Sequence, residues 1–106
     1  MMRRNDIDAR TLRDMLDRGE QVTLVDVRKR EEHAQGSIPG SVNFDAYDAL
    51  KAGEGRAMEG LEPPEGAPVL TFCNRGHSGA VAAEQLRRRG YEAFSLEGGM
   101  EAWKDL

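Results

Sequence analysis

Short apolar segments alternate with amphipathic ones along this chain. Mostly apolar segments at residues 22–27, 69–72 and 91–96 are strand candidates. Helical spacing of apolar side chains predicts helices over residues 7–18, 30–35, 45–52 and 80–89, and a last short helix that carries Met100 and Trp103. Strands that are apolar on both faces are typical of parallel sheets covered on both sides. The pattern therefore predicts an α/β fold, with a central parallel β-sheet flanked by α-helices on both faces.

Local signals set the predicted boundaries. Asp8 is a candidate cap for the first helix and Gly19 ends it. A brief apolar stretch at residues 42–44 precedes the helix over 45–52, in which Tyr47 and Leu50 are expected to face the core. Residues 53–68 are rich in Gly, Pro and Glu, and we predict a surface connection there.

The composition narrows the class of protein. A chain of 106 residues suits one domain over residues 1–106, and the apolar and charged fractions of 39% and 32% are those of a globular protein. No segment is apolar enough to span a bilayer, and residues 1–6 lack the apolar run of a secretory signal, so the cytoplasm is the expected location. The net charge of −4 argues against nucleic acid as a partner. We expect a monomer.

The cysteine and histidine content limits the chemistry. One cysteine excludes an internal disulfide, and with only two histidines we expect no metal and no cofactor. Any thiol chemistry must therefore begin at Cys73.

Cys73 lies where an α/β sheet usually carries its site. It directly follows the strand at residues 69–72 and precedes a helix. Backbone N–H groups of such a loop and the helix dipole stabilise a thiolate, and Arg75 and His77 would add positive charge. A lone cysteine is more often an inert buried residue, but polar, glycine-containing neighbours are a poor setting for one.

Four segments, in order, resemble those of the single-domain rhodaneses, which are thiosulfate sulfurtransferases. They are Leu-Val-Asp-Val-Arg at 24–28 with Glu31 and Glu32, Gly-Ser-Ile-Pro-Gly-Ser at 36–41, the strand-Cys-loop-helix unit at 69–90, and Leu-Glu-Gly-Gly at 96–99 followed by Trp103. The resemblance extends from about residue 7 to residue 103.

The resemblance implies a mechanism. Cys73 would attack the outer sulfur of a small anionic donor, carry that sulfur as a persulfide, and pass it to cyanide, a thiol or a partner protein in a ping-pong scheme. It also implies a substrate-binding loop, formed by Asn74, Arg75, Gly76, His77 and Ser78.

Other residues are expected near the loop. Asp26 and Arg28 would have a mainly structural electrostatic role, with Arg28 contributing to anion binding; the alternative is a salt bridge that only locks the strand end. Gly79 is expected to be structural.

Three positions depart from the family pattern. Ser37 stands where the family commonly has His, and His33 where it commonly has an aromatic residue; we interpret both as structural. Ser78 occupies a position often held by Arg, and Arg75 is the candidate for the compensating charge.

Two other functions compete. A cysteine-dependent phosphatase or arsenate reductase needs Cys, five residues, then Arg, but Gly79 occupies that last position. A dedicated sulfur carrier for a protein partner, or a regulatory rhodanese-like binding module without thiosulfate turnover, remains the alternative, although the presence of Cys73 argues against a module without chemistry. Residues 87–89, three arginines, are interpreted as a solvated helix end.

Overall fold

The computed structural model describes residues 5–106, so the interpretation of the chain start as lacking a secretory signal falls largely on residues 1–4, outside the described residues. Five strands and five helices alternate along residues 5–106. Their bounds are β1 Asp6–Ile7, α1 Ala9–Asp17, β2 Thr23–Asp26, α2 Arg30–Gln35, β3 Val42–Asn43, α3 Tyr47–Lys51, β4 Val69–Phe72, α4 His77–Arg88, β5 Ala93–Leu96 and α5 Gly99–Lys104.

The five strands form one parallel sheet in the order β1-β5-β4-β2-β3. In its centre, β2 pairs with β4 from Thr23 opposite Val69 to Asp26 opposite Phe72. The predicted parallel α/β sheet is confirmed. Because paired parallel strands end at the same edge, the segments that follow Asp26 and Phe72 meet there.

Two apolar cores lie on opposite faces of the sheet. Successive side chains of a strand point to opposite faces, so Leu70 and Phe72 belong to the core with α1 and α5. Val25 and Val69 belong to the other core, which contains buried residues of α3 and α4. Helices therefore cover both faces, as predicted.

Helix and strand boundaries agree in part. The bounds of α2 and β4 are those predicted. The first helix begins later than predicted, because Ile7 pairs with Leu96 in the sheet; Asp8 caps it as expected, its Oδ1 accepting from the Thr11 N–H at 2.7 Å. The helix after the cysteine begins earlier, at His77 rather than residue 80. His77, Ser78 and Gly79 thus form its first turn.

The segment from 53 to 68 has neither helix nor strand, as expected, but it is more than a surface connection. Met58 is fully buried in the core. Its N–H donates to Oε1 of Gln85 at 3.1 Å, and Nε2 of Gln85 donates to the Glu54 carbonyl at 2.9 Å. The prediction missed this attachment to α4 because it depends on a buried polar side chain far along the chain. Within residues 5–106, no helix is long and apolar enough to cross a membrane.

Candidate active site

The thiol of Cys73 is held by backbone hydrogen bonds. Its Sγ accepts from the N–H of Gly76 at 3.1 Å and from the N–H of Gly79 at 3.2 Å. Cys73 is only 5% exposed, so these donors replace water around the sulfur. Two fixed N–H dipoles at the start of the twelve-residue helix α4 favour a negative charge on Sγ.

Two glycines allow this path of the backbone. Gly76 has φ +114°, a conformation that side chains disfavour. A Cβ at Gly79 would lie 3.0 Å from Cα of Phe72 and 3.3 Å from N of Cys73. The hydroxyl of Thr71 donates to the Gly79 carbonyl at 2.6 Å and fixes the first turn of α4 against β4. The loop can therefore direct both N–H groups at one sulfur.

The last helix holds the loop from its other side. The N–H of Met100 donates to the Cys73 carbonyl at 2.8 Å, and that of Glu101 donates to the Asn74 carbonyl at 3.0 Å. A Cβ at Gly99 would overlap the Cys73 carbonyl oxygen and lie 2.7 Å from that of Asn74. The sequence predicted only the last short helix after the Gly-Gly motif, and this contact with the cysteine loop was missed.

Asp26 and Arg28 form a buried ion pair beside the loop. The Nη2 of Arg28 lies 2.8 Å from Oδ2 of Asp26, and its Nε donates to Oδ1 at 3.0 Å. The side chain of Arg28 is 4% exposed and that of Asp26 is 0% exposed. Arg28 also donates from Nη1 to Oδ1 of Asn74 at 3.3 Å, and Nδ2 of Asn74 donates to Glu32 at 2.8 Å. The pair thus connects the end of β2 to the cysteine loop.

Ser37 and His33, two of the positions that depart from the family pattern, both contact the carboxylate of Asp26. Oγ of Ser37 donates to Oδ2 of Asp26 at 2.8 Å, and Nδ1 of His33 lies 3.0 Å from that oxygen. Burial alone would raise the pKa of Asp26, but the hydrogen bonds from Arg28, His33 and Ser37 together hold it below the ordinary value of 3.8. His33 and Ser37 both contact Asp26, and His33 does so through a polar contact rather than through apolar packing.

A pocket of about 350 Å³ opens beside the thiol. Its lining residues are Tyr47, Lys51, Cys73, Asn74, Arg75, His77 and Ser78. Five of these were predicted from the sequence as site residues. Tyr47 and Lys51 were not, and the expectation that Tyr47 faces the core is wrong: its side chain is half-buried in the pocket wall, whereas Leu50 is buried as predicted.

The predicted cations differ in their access to the pocket. Arg28 does not line it, and its guanidinium already binds Asp26, Asn74 and the Gly36 carbonyl, so any effect on an anion is indirect. Arg75 lines the pocket, but its side chain is 84% exposed and Nε donates to Glu101 at 3.0 Å. The charge expected to compensate for Ser78 is therefore shared with a carboxylate.

The Rhodanese-like domain family model matches residues 8–106. The chain belongs to this family. The match includes all four motifs and every residue that lines the pocket.

Relatives of similar length are named as sulfurtransferases. A sulfurtransferase from Allochromatium vinosum is 31% identical over 100 residues, which cover 93% of this chain and 87% of the relative. The thiosulfate sulfurtransferase GlpE from Pseudomonas paraeruginosa is 30% identical, with coverage of 89% and 78%. The human single-domain sulfurtransferase TSTD1 superposes with a TM-score of 0.74 at 29% identity, with coverage of 95% and 96%.

The chain also resembles parts of longer proteins. It is 27% identical to a tRNA sulfurtransferase from Desulfurococcus amylolyticus, of which it covers 14%. It is 33% identical to the probable adenylyltransferase/sulfurtransferase MoeZ from Mycobacterium tuberculosis, of which it covers 24%. The rhodanese-like fold and membership of a sulfurtransferase family follow from these matches and from the parallel sheet.

Proposed function

We propose that this chain is a thiosulfate sulfurtransferase that carries a sulfane sulfur on Cys73. The observation that carries the proposal is the pair of backbone N–H groups, from Gly76 and Gly79, that converge on Sγ at the base of a pocket. A persulfide anion on Cys73 needs the same stabilisation as a thiolate. The name of the Pseudomonas relative supports thiosulfate as the donor.

The proposed first half-reaction is a displacement at sulfur. The Cys73 thiolate attacks the outer sulfur of thiosulfate, a new sulfur–sulfur bond forms, and the bond to the sulfonate sulfur breaks. Its electron pair leaves with sulfite, and the protein keeps Cys–S–S⁻. In the second half-reaction cyanide attacks the outer sulfur, leaves as thiocyanate, and regenerates the thiolate. A thiol or a partner protein can take the place of cyanide.

The loop residues have complementary proposed roles. Asn74, Arg75, His77 and Ser78 contact the substrate from the pocket lining, whereas Gly76 and Gly79 act through their N–H groups. Asp26 and Arg28 hold the loop in place. The crowding at Gly79 also argues against the phosphatase alternative, because the arginine that such an enzyme needs has no room on this backbone path.

The test is persulfide formation followed by intact-protein mass spectrometry. The reduced protein incubated with thiosulfate should gain one sulfur atom, and cyanide should remove it with release of thiocyanate. Cys73→Ser is the matched control, since it changes a single atom. No sulfur gain from thiosulfate would contradict the proposed activity.

The dedicated carrier is the second candidate, supported by the resemblance to part of the longer adenylyltransferase/sulfurtransferase relatives. It shares the persulfide but receives or delivers sulfur through a protein partner. A protein that acquires the persulfide from another persulfidated protein, and not from thiosulfate, would favour this reading. One domain over residues 1–106, a monomeric state, a cytoplasmic location, and the absence of cofactor and nucleic-acid partners stay predictions.

A further inference from the structure

One wall of the pocket comes from α3, outside the cysteine loop. Tyr47 and Lys51 lie one helical turn apart, at positions i and i+4, and both side chains line the pocket that contains Cys73. None of the rhodanese motifs includes them. Their position beside the reactive sulfur therefore requires its own explanation.

Lys51 differs from the other cation of the pocket. Among the described residues 5–106, the pocket lining contains one lysine and one arginine, Lys51 and Arg75, and no carboxylate. Arg75 pairs with Glu101, while Lys51 forms no ion pair within the same part of the chain. Its ammonium lies instead 5.4 Å from the centre of the Tyr47 ring. Lys51 is exposed to solvent and, with no carboxylate partner among the described residues, has capacity to bind an anion.

The Tyr47 ring keeps this ammonium near the pocket. An aromatic face attracts a cation without neutralising its charge. A second cation, Lys29, lies 5.5 Å from the same ring centre, but it is 3.8 Å from Asp48 and does not line the pocket. The two lysines share an aromatic neighbour and differ in access to the site.

We propose that Lys51, positioned by Tyr47, binds the anionic end of the sulfur donor. The inference rests on the proposed function. In the first half-reaction the N–H groups of Gly76 and Gly79 hold the sulfur that stays on Cys73, and the Lys51 ammonium holds the sulfonate oxygens that leave as sulfite. Negative charge grows on the leaving group as the bond breaks, so Lys51 stabilises that charge. Lys51 thereby supplies the positive charge of the arginine that the family often has at the position of Ser78.

Alkylation of Cys73 tests this without any sulfur transfer. Iodoacetate is anionic and iodoacetamide is neutral, and the two reagents have a similar shape. In both, the Cys73 thiolate attacks the iodomethyl carbon and displaces iodide. Lys51→Gln should lower the rate with iodoacetate by about three- to tenfold more than the rate with iodoacetamide, the effect of one partly solvated charge at close range on the anionic reagent. High salt should remove the difference from the wild-type protein.

Lys29→Gln is the matched control. It makes the same change in net charge beside the same aromatic ring, so it should leave the iodoacetate-to-iodoacetamide ratio close to that of the wild-type protein. Lys51→Arg should retain most of that ratio. Equal effects of the two Gln variants, or an equal loss with both reagents in Lys51→Gln, would overturn the proposal.

Thiosulfate kinetics then test the donor. Lys51→Gln should raise the KM for thiosulfate or slow single-turnover persulfide formation by about three- to tenfold. The rate at which cyanide removes sulfur should change less, because no sulfonate leaves in that step. If thiosulfate gives no persulfide at all, the proposed function fails; if it gives one whose formation is indifferent to Lys51, only this inference fails.

Discussion

The N–H of Met100 donates a hydrogen bond to the carbonyl oxygen of Cys73 at 2.8 Å. The residue that bears the thiol is thereby fixed on both sides. Its sulfur accepts from the N–H groups of Gly76, which precedes α4, and of Gly79 in the first turn of α4, and its carbonyl is held by the first turn of α5. This double attachment explains why a turn close to the end of the chain bears on the chemistry of a loop after β4. The backbone of α5 comes closest to the cysteine loop at Gly99.

Gly99→Ala should disrupt the cysteine loop. A Cβ there would overlap the Cys73 carbonyl oxygen, and Gly99 has φ +58°. We expect a loss of stability of roughly 2–4 kcal/mol, more than backbone strain alone, together with slower alkylation of Cys73. Urea unfolding and iodoacetamide kinetics measure the two effects.

Gly53→Ala is the control for Gly99→Ala. Gly53 has φ +77°, but a Cβ there would meet nothing within 4 Å. This variant should lose only about 1–2 kcal/mol, the cost of a left-handed non-glycine residue, and keep the wild-type alkylation rate. Equal losses in both variants would mean that the contact between α5 and the loop is unimportant.

Thr71→Val should weaken the start of α4. The Thr71 hydroxyl donates to the Gly79 carbonyl at 2.6 Å in a fully buried position, and Val has the same shape without the donor. We expect a loss of about 1–2 kcal/mol in unfolding free energy and slower alkylation of Cys73, because the Gly79 N–H moves relative to Sγ. Thr71→Ser keeps the hydroxyl and should retain the wild-type alkylation rate, although it loses a buried methyl group. An unchanged rate of Cys73 alkylation in Thr71→Val would mean that this hydrogen bond does not affect the geometry around Sγ.

The sheet and several helices could be predicted because their signals are local. The apolar run of β4, the cap at Asp8 and the glycine after α2 each lie within or next to the element that they define. The position of Cys73 at the pocket could be predicted for a similar reason, since its place after a strand and within a family motif is visible in a short segment.

The features that were missed depend on contacts between distant parts of the chain. α4 starts at His77 because Gly76 takes a positive φ and the hydroxyl of Thr71 binds Gly79. β1 has two residues and becomes a strand only by pairing with β5. Lys51 resembles an ordinary surface lysine in the sequence; only the packing of α3 near α4 brings it to the pocket.

Asp26 should make stability depend on pH in the acid range. Its pKa is lowered in the folded state, so its carboxylate contributes stability that is fully present above the ordinary value of 3.8 and is lost as the pH falls through the folded value. Asp26→Asn removes this contribution and leaves the buried Arg28 unpaired, which should cost about 3–5 kcal/mol at pH 7. Urea unfolding of the wild-type protein and of Asp26→Asn from pH 7 downward should show that the difference in their unfolding free energies narrows below about pH 4. A difference in unfolding free energy that does not change with pH would contradict the assignment of this stability to the ionised Asp26 carboxylate.

Arg28→Lys tests whether Arg28 acts on the substrate or on the loop. A lysine keeps the charge but cannot reproduce the contacts that the guanidinium makes with Asp26, Asn74 and the Gly36 carbonyl. We expect a loss of about 1–3 kcal/mol in unfolding free energy and slower alkylation with both iodoacetate and iodoacetamide. The ratio of the two rates should stay at its wild-type value, because Arg28 does not line the pocket. A loss of rate with iodoacetate alone would instead show that Arg28 attracts the anion. The size of such a loss can be compared with the decrease in the same rate ratio that we expect for Lys51→Gln.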